Sequence, residues 1–184
     1  MIKMHDCFFL STYNKIDWQK LIDSLNSQDG KSITTDPNIW NLDTSGYSEI
    51  YQMWEKANFN AAAIKWTNYY TDVHYPTSVI LELQSNLKLS GVHRSWISRV
   101  DPGYYAPWHW DVDDNEKSYL KYGEPKRFSI MIGKSSPGQI FIIGKDYLFN
   151  YEQGSIFQWK NYKEWHCGIN ASMNPKYMLH LLAY

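Results

Sequence analysis

From His93 onward the chain runs in short stretches of β-branched and aromatic residues that alternate with polar ones, each broken by Pro, Gly, Asn or Asp. That texture predicts strands joined by tight turns. Eight strands are read: "HRSWISRV", "PWHWDV", "RFSIMIG", "GQIFIIG", "KDYLFNY", "SIFQWK", "EWHCGIN" and "YMLHLLAY", with turns at "DPGY", "SSPG", "GK", "EQG" and "ASMNPK". A closed β architecture, sandwich or barrel, buries such strands best.

The N-terminal half has a different pattern. "IDWQKLIDSLNSQDG" places Trp18, Leu21, Ile22 and Leu25 at helical spacing, with Asp17 as the cap and Gly30 as the stop. "YSEIYQMWEKANF" is a weaker helical pattern, and "TSVILELQSNL" fits a helix or a buried strand. The polar connection "DDNEKSYLKYGEPK" after the second strand is the least regular one. Such a loop at a barrel mouth carries substrate contacts or acts as a lid. A length of 184 residues predicts one domain, residues 1–92 supporting a β core at 93–184.

Alternation also sorts side chains by face. On "PWHWDV" His109 and Asp111 share one side, and Trp108, Trp110 and Val112 share the other. An imidazole and a carboxylate two residues apart can close on one metal ion, and a facial site needs a third ligand from a neighbouring strand. His166 is the best candidate, because Trp165, Cys167 and Ile169 make the opposite face of its strand apolar. A two-histidine, one-carboxylate set suits Fe(II) better than calcium or magnesium, with zinc also compatible. Taken alone, an H-x-D tripeptide is weak, since a strand histidine is more often a satisfied core residue.

The same rule puts Arg127, Ser129 and Met131 on one face of their strand, and Lys176, Met178 and His180 together on the last. A cation at an inward strand position is costly to bury without an anion. Two of them near a metal set with open positions point to a dicarboxylate co-substrate, chelating the metal at one end and salt-bridged at the other. For Lys176 the competing reading is a solvated residue in the turn after Pro175.

Composition narrows the classes. Eighteen Lys plus Arg stand against 19 Asp plus Glu with no long block of either sign, which argues against a nucleic-acid partner. The opening "MIKMHDCFFLSTYNK" has an apolar run too short for a signal peptide, and no segment is expected to span a membrane. With only Cys7 and Cys167 there is no disulfide framework, and a cytoplasmic location is the simpler expectation. Aromatics make up 17% of the chain. They keep open a non-catalytic β-sandwich that binds a ligand on exposed Trp faces. A cupin-like metal hydrolase or isomerase is the other alternative; it would keep the triad but have no use for Lys176.

Over roughly its last half, from "SRVDPGYYAPWHWD" through "KRFSIMIG" to "YEQGSIFQWKNYKEWHCGINASMNPKYMLHLLAY", the chain resembles the Fe(II)/2-oxoglutarate-dependent dioxygenases, in particular the aspartyl/asparaginyl β-hydroxylase-like branch. The resemblance implies a mainly β fold, a double-stranded β-helix (jelly-roll, cupin-like) of two four-stranded antiparallel sheets with early helices packed outside. It implies His109, Asp111 and His166 as iron ligands. Lys176 stands where the family usually has the Arg that holds the distal 2-oxoglutarate carboxylate. Arg127 matches the second basic position, after a longer gap from Asp111 than the family shows, and Ser98 matches a serine that contacts the co-substrate. The implied reaction uses Fe(II), 2-oxoglutarate and O2 to hydroxylate an amino-acid side chain, free or peptidyl, with release of succinate and CO2. Asn170 is a candidate support for the site, and Tyr104 and Tyr105 are candidate substrate neighbours.

Overall fold

In the computed structural model the described residues are 5–28, 33–35, 48–111 and 123–184. Val112 and residues 113–122 of the connection 113–126 that is the lid candidate lie outside them, and so does Gly30.

Among the described residues eleven strands and three α-helices follow in the order β1 (Cys7–Thr12), α1 (Trp18–Asn26), β2 (Ile33–Thr35), α2 (Ser48–Lys56), β3 (Trp66–Tyr70), α3 (Thr77–Leu87), β4 (Val92–Val100), β5 (Tyr105–His109), β6 (Lys126–Met131), β7 (Gln139–Ile143), β8 (Asp146–Leu148), β9 (Ser155–Trp159), β10 (His166–Asn170) and β11 (Lys176–Ala183). All eight predicted strands are present. β4, β6, β9 and β11 form one antiparallel sheet in the order β9-β6-β11-β4, and β5, β7, β8 and β10 form the other in the order β5-β10-β7-β8. Successive strands thus cross from sheet to sheet, except at the β7–β8 hairpin. That winding is a double-stranded β-helix.

The N-terminal segment adds strands as well as helices. β1 pairs with β9 at one edge of the larger sheet, and β3 with β2 extend the other edge beside β4, giving seven strands. Helix α1 begins where the Asp17 carboxylate accepts a hydrogen bond from Lys20 N at 3.0 Å. Its Trp18, Leu21, Ile22 and Leu25 are buried as the spacing predicted. The ambiguous "TSVILELQSNL" is helix α3; Ile80 and Leu83, one turn apart, are buried while Leu81 stays exposed.

These two helices cover the outer face of the larger sheet. Their apolar stripes pack with Tyr69, Ile97, Phe128, Ile130, Leu179 and Leu181. The alternate residues of the same strands point between the sheets. Met131 and Met178 meet Phe141, Ile143 and Trp159 there, closing one side of the barrel. Helix α2 plugs another side through Ile50 and Trp54, which pack on Ile64, Trp66, Val100 and Ala106.

Candidate metal centre and cavity

The β4–β5 connection turns at Gly103, whose φ of 82° lies in the left-handed region open to glycine, and its N–H donates to Asn170 O on β10 at 2.9 Å. This stitches β5 to β10, with His109 directly opposite His166 in the register. The two imidazole centroids are 4.2 Å apart. Strand β5 ends at His109, so Asp111 stands just beyond the ladder, short of the six-residue strand that the alternation implied. Its carboxylate still reaches the same point. Oδ1 lies 3.8 Å from His109 Nε2, and Oδ2 lies 3.6 Å from His166 Nε2. One ligand atom from each of the three residues falls within 4.8 Å of the others.

The donors fit a borderline divalent metal. His109 Nδ1 is in contact with the Pro107 carbonyl at 2.5 Å and His166 Nδ1 with the Glu164 carbonyl at 3.0 Å. A carbonyl only accepts, so each Nδ1 carries the proton and each Nε2 lone pair faces Asp111. Burial lowers the pKa of both imidazoles, and that of His166 well below the ordinary value. They are therefore neutral and able to ligate at physiological pH. Trp66 stacks on His109 at 5.9 Å, and Trp159 meets His166 edge-on at 4.8 Å, fixing both rings.

Asp111 is also ion-paired with Arg127. Burial alone would push its carboxyl up, but the Arg127 guanidinium, helped by His166 and His109, holds it well below the usual carboxylate range. Arg127 is 2% exposed and lies on β6, with Cζ 3.7 Å from the centroid of the Trp159 ring and Nη1 donating to Tyr162 O at 3.3 Å. Sequence reasoning placed it inward correctly. In this structure its partner is the metal-site carboxylate.

The centre opens into a cavity of about 220 Å³ between the sheets. Lys176 lies in its wall. It is 2% exposed, its ammonium donates to Ile140 O at 2.6 Å, and it sits 4.9 Å from the Phe141 ring centroid. It is therefore a buried group and not the solvated turn residue of the competing reading. Burial lowers its pKa to about 7, against a smaller upward pull from Cys167. Ser98 also lines the cavity; its hydroxyl is 3.1 Å from His180 Nε2. His180 Nδ1 is 3.3 Å from Ser129 Oγ, which accepts from Trp159 Nε1 at 2.9 Å, and Trp96 stacks on the ring at 4.8 Å. His180 thus belongs to a buried chain of polar contacts beside the triad.

Other candidates fall elsewhere. Asn170 ties the β10–β11 turn: Nδ2 donates to Val100 O and Asn174 O, and Oδ1 accepts from Ser172. It positions the start of β11, and with it Lys176. Tyr104 and Tyr105 pack against the α2 cluster and do not line the cavity. Trp108 and Trp110 flank Trp165, at 6.3 Å and 4.4 Å, and the Trp108 carbonyl accepts from Trp54 Nε1 of α2 at 2.9 Å. All three indoles are partly buried in this packing, unlike an open aromatic binding face. Trp66, Asn68 and Tyr70 of β3, with Arg94 and Trp96 of β4, also line the cavity and were not among the sequence candidates. Their signal was present: Trp, Asn and Tyr alternate at one-residue intervals in "WTNYY".

No protein-family model and no curated protein matches the chain. Among solved structures it is similar to a Pseudomonas putida prolyl-4-hydroxylase, with a TM-score of 0.47 and 9% identity over 97% of this chain and 92% of that one. It is similar to an oxidoreductase of the 2OG-Fe(II) oxygenase family from Burkholderia pseudomallei, with a TM-score of 0.45 and 14% identity over 92% and 91%. A predicted oxalate decarboxylase from Thermotoga maritima gives a TM-score of 0.37 and 9% identity over 65% and 80%. At this distance the chemistry of the chain is read from its own residues.

Proposed function

We propose that the protein is a non-haem Fe(II)- and 2-oxoglutarate-dependent oxygenase that hydroxylates an amino-acid side chain, as the aspartyl/asparaginyl β-hydroxylase-like resemblance implies. One observation carries the reading: a two-histidine, one-carboxylate donor set and a fully buried lysine line the same cavity. A metal hydrolase would use the first and have no task for the second.

His109, Asp111 and His166 would hold the iron on one face, leaving the other face open to ligands. When bound, iron and 2-oxoglutarate activate dioxygen for C–H hydroxylation, with succinate and CO2 as co-products. Lys176 offers its ammonium to the distal carboxylate of the 2-oxo acid, with Ser98 as a second hydrogen-bond donor in the same wall. Arg127, expected from the sequence to share that task, anchors Asp111. The apolar walls, Trp66, Phe141 and Met178, exclude water and restrict how the bound acid can lie.

The test is direct. Purified protein mixed anaerobically with Fe(II) and 2-oxoglutarate should give a weak visible charge-transfer band, and succinate on admission of oxygen. Absence of both, with iron binding unchanged by His109→Ala, would overturn the reading.

A further inference from the structure

A chain of polar contacts crosses the larger sheet from its interior to the cavity wall. Trp159 Nε1 meets Ser129 Oγ at 2.9 Å, Ser129 Oγ meets His180 Nδ1 at 3.3 Å, and His180 Nε2 meets Ser98 Oγ at 3.1 Å. Trp159, Ser129 and His180 are buried, and the half-buried Ser98 lines the cavity. The register sets His180 on β11 between Ser129 on β6 and Trp96 on β4, and the stacked Trp96 ring and the edge-on Phe141 ring hold the imidazole in place.

The chain has a direction. An indole N–H only donates, so Ser129 Oγ accepts at that end. Among the described residues the Ser129 proton then has one acceptor, His180 Nδ1, and Ser129 is wholly buried. A proton on Nδ1, in the other neutral tautomer or in an imidazolium, would leave that buried hydroxyl without an acceptor. Nδ1 therefore accepts, Nε2 carries the ring proton, and Nε2 donates to Ser98 Oγ. Asn68, beside Ser98 in the β3–β4 register, does not take the Ser98 proton, since its Oδ1 has no hydrogen-bond partner. On the other side Ser98 stands opposite the apolar Met178. Its proton is left for the cavity.

We infer that His180 is a positioning residue: by donating to Ser98 it fixes that hydroxyl as a donor into the cavity, toward the distal carboxylate of the co-substrate. The identity of the ligand rests on the oxygenase reading, whereas the direction of the chain does not. Val100, opposite Lys176, is two residues from Ser98 on the same face of β4, so the hydroxyl and the ammonium stand in adjacent positions of one wall. A carboxylate accepts from both.

Two measurements test this. Long-range proton–nitrogen correlation NMR on full-length protein labelled at histidine, with His180 assigned through its contact with the Trp96 ring, should show the proton on Nε2 at neutral pH without metal or ligand. A proton on Nδ1, or on both nitrogens, overturns the inference. Co-substrate affinity is then read by titrating the Fe(II)-loaded protein anaerobically with 2-oxoglutarate and following the charge-transfer band. Ser98→Ala should weaken binding about tenfold. His180→Phe, which keeps a ring against Trp96 but has no N–H, should weaken it by about threefold or more, and His180→Gln, whose amide can donate to Ser98, should recover part of the loss. The double variant S98A/H180F should bind no more weakly than S98A alone, because His180 acts through Ser98. Losses that add, or wild-type affinity in H180F, refute the role. Circular dichroism confirms that each variant is folded, and the wild-type tautomer decides the direction of the chain without any variant. A proton on Nε2 with no band and no 2-oxoglutarate binding would sink the oxygenase reading and leave the direction standing; the band with the proton on Nδ1 would do the reverse.

Discussion

Arg127, which is buried, pairs with the inner carboxylate oxygen of the half-buried Asp111 and so joins strand β6 to the loop residue of the candidate metal site. The guanidinium is itself clamped between the Trp159 ring and the Tyr162 carbonyl. A carboxylate that has left its strand is thereby held against His109 and His166, a position that the backbone ladder alone would not impose.

Arg127→Gln should therefore cost about 2–4 kcal/mol in urea unfolding at pH 7, because the buried Oδ2 of Asp111 loses its counter-charge. The pH dependence gives a second check. Asp111 has a depressed pKa in the folded protein, so the stability it contributes is present above the unfolded value of about 3.9 and is lost as pH falls through the folded one. In R127Q the carboxyl titrates higher, and stability should begin to fall at a higher pH than in the wild type.

Metal binding offers an independent measurement. Co(II) in place of iron should give a d–d absorption spectrum and raise the unfolding midpoint, by about 2.7 kcal/mol of stability when free metal is a hundredfold above Kd. A chelator should reverse both. His109→Ala and His166→Ala should each abolish the spectrum, whereas His180→Gln should keep it, since His180 lies outside the donor set and faces Ser98 and Ser129.

Ser129 tests how far that polar chain holds the barrel together. Its hydroxyl accepts from Trp159 Nε1 and meets His180 Nδ1, and all three groups are buried. Ser129→Ala leaves two buried polar groups short of a partner and should cost about 1–3 kcal/mol in chemical denaturation. Ser98→Ala, at the half-exposed end of the same chain, should cost less.

The β core was legible because its strands obey one rule: the polar candidate site residues face inward at one set of positions, and apolar residues face the helices at the other. Lys176, Met178 and His180 were separated from Tyr177, Leu179 and Leu181 by that rule, and the structure separates them the same way. β1 escaped it, since Phe8, Phe9 and Leu10 are all substantially exposed and give no alternation to read. β3 escaped it for a different reason: Tyr69 packs on the helices while Trp66, Asn68 and Tyr70 turn to the cavity, so both faces carry large aromatic residues. The H-x-D spacing found Asp111 although the strand stops two residues earlier. Its partnership with Arg127 depends on a contact between a loop and a distant strand, which no local pattern encodes.

Lys176 gives a test in which stability and binding move oppositely with pH. Below about pH 7 its amine is charged in the folded and unfolded chains alike, and the full cost of burying the charge is present. Between that value and the unfolded one of about 10.4, the folded chain has lost the proton and the unfolded chain has not, so stability rises with pH. Lys176→Met should accordingly be more stable than the wild type at pH 6, with the difference shrinking toward pH 10. Binding behaves in the reverse sense. A dicarboxylate favours the charged amine, so 2-oxoglutarate should bind with proton uptake near neutrality, seen calorimetrically in buffers of different ionisation enthalpy. Its Kd should weaken roughly tenfold or more from pH 6.5 to 8.5, and Lys176→Met should lose both the affinity and its pH dependence. A flat pH profile in the wild type would mean that the lysine does not face the co-substrate.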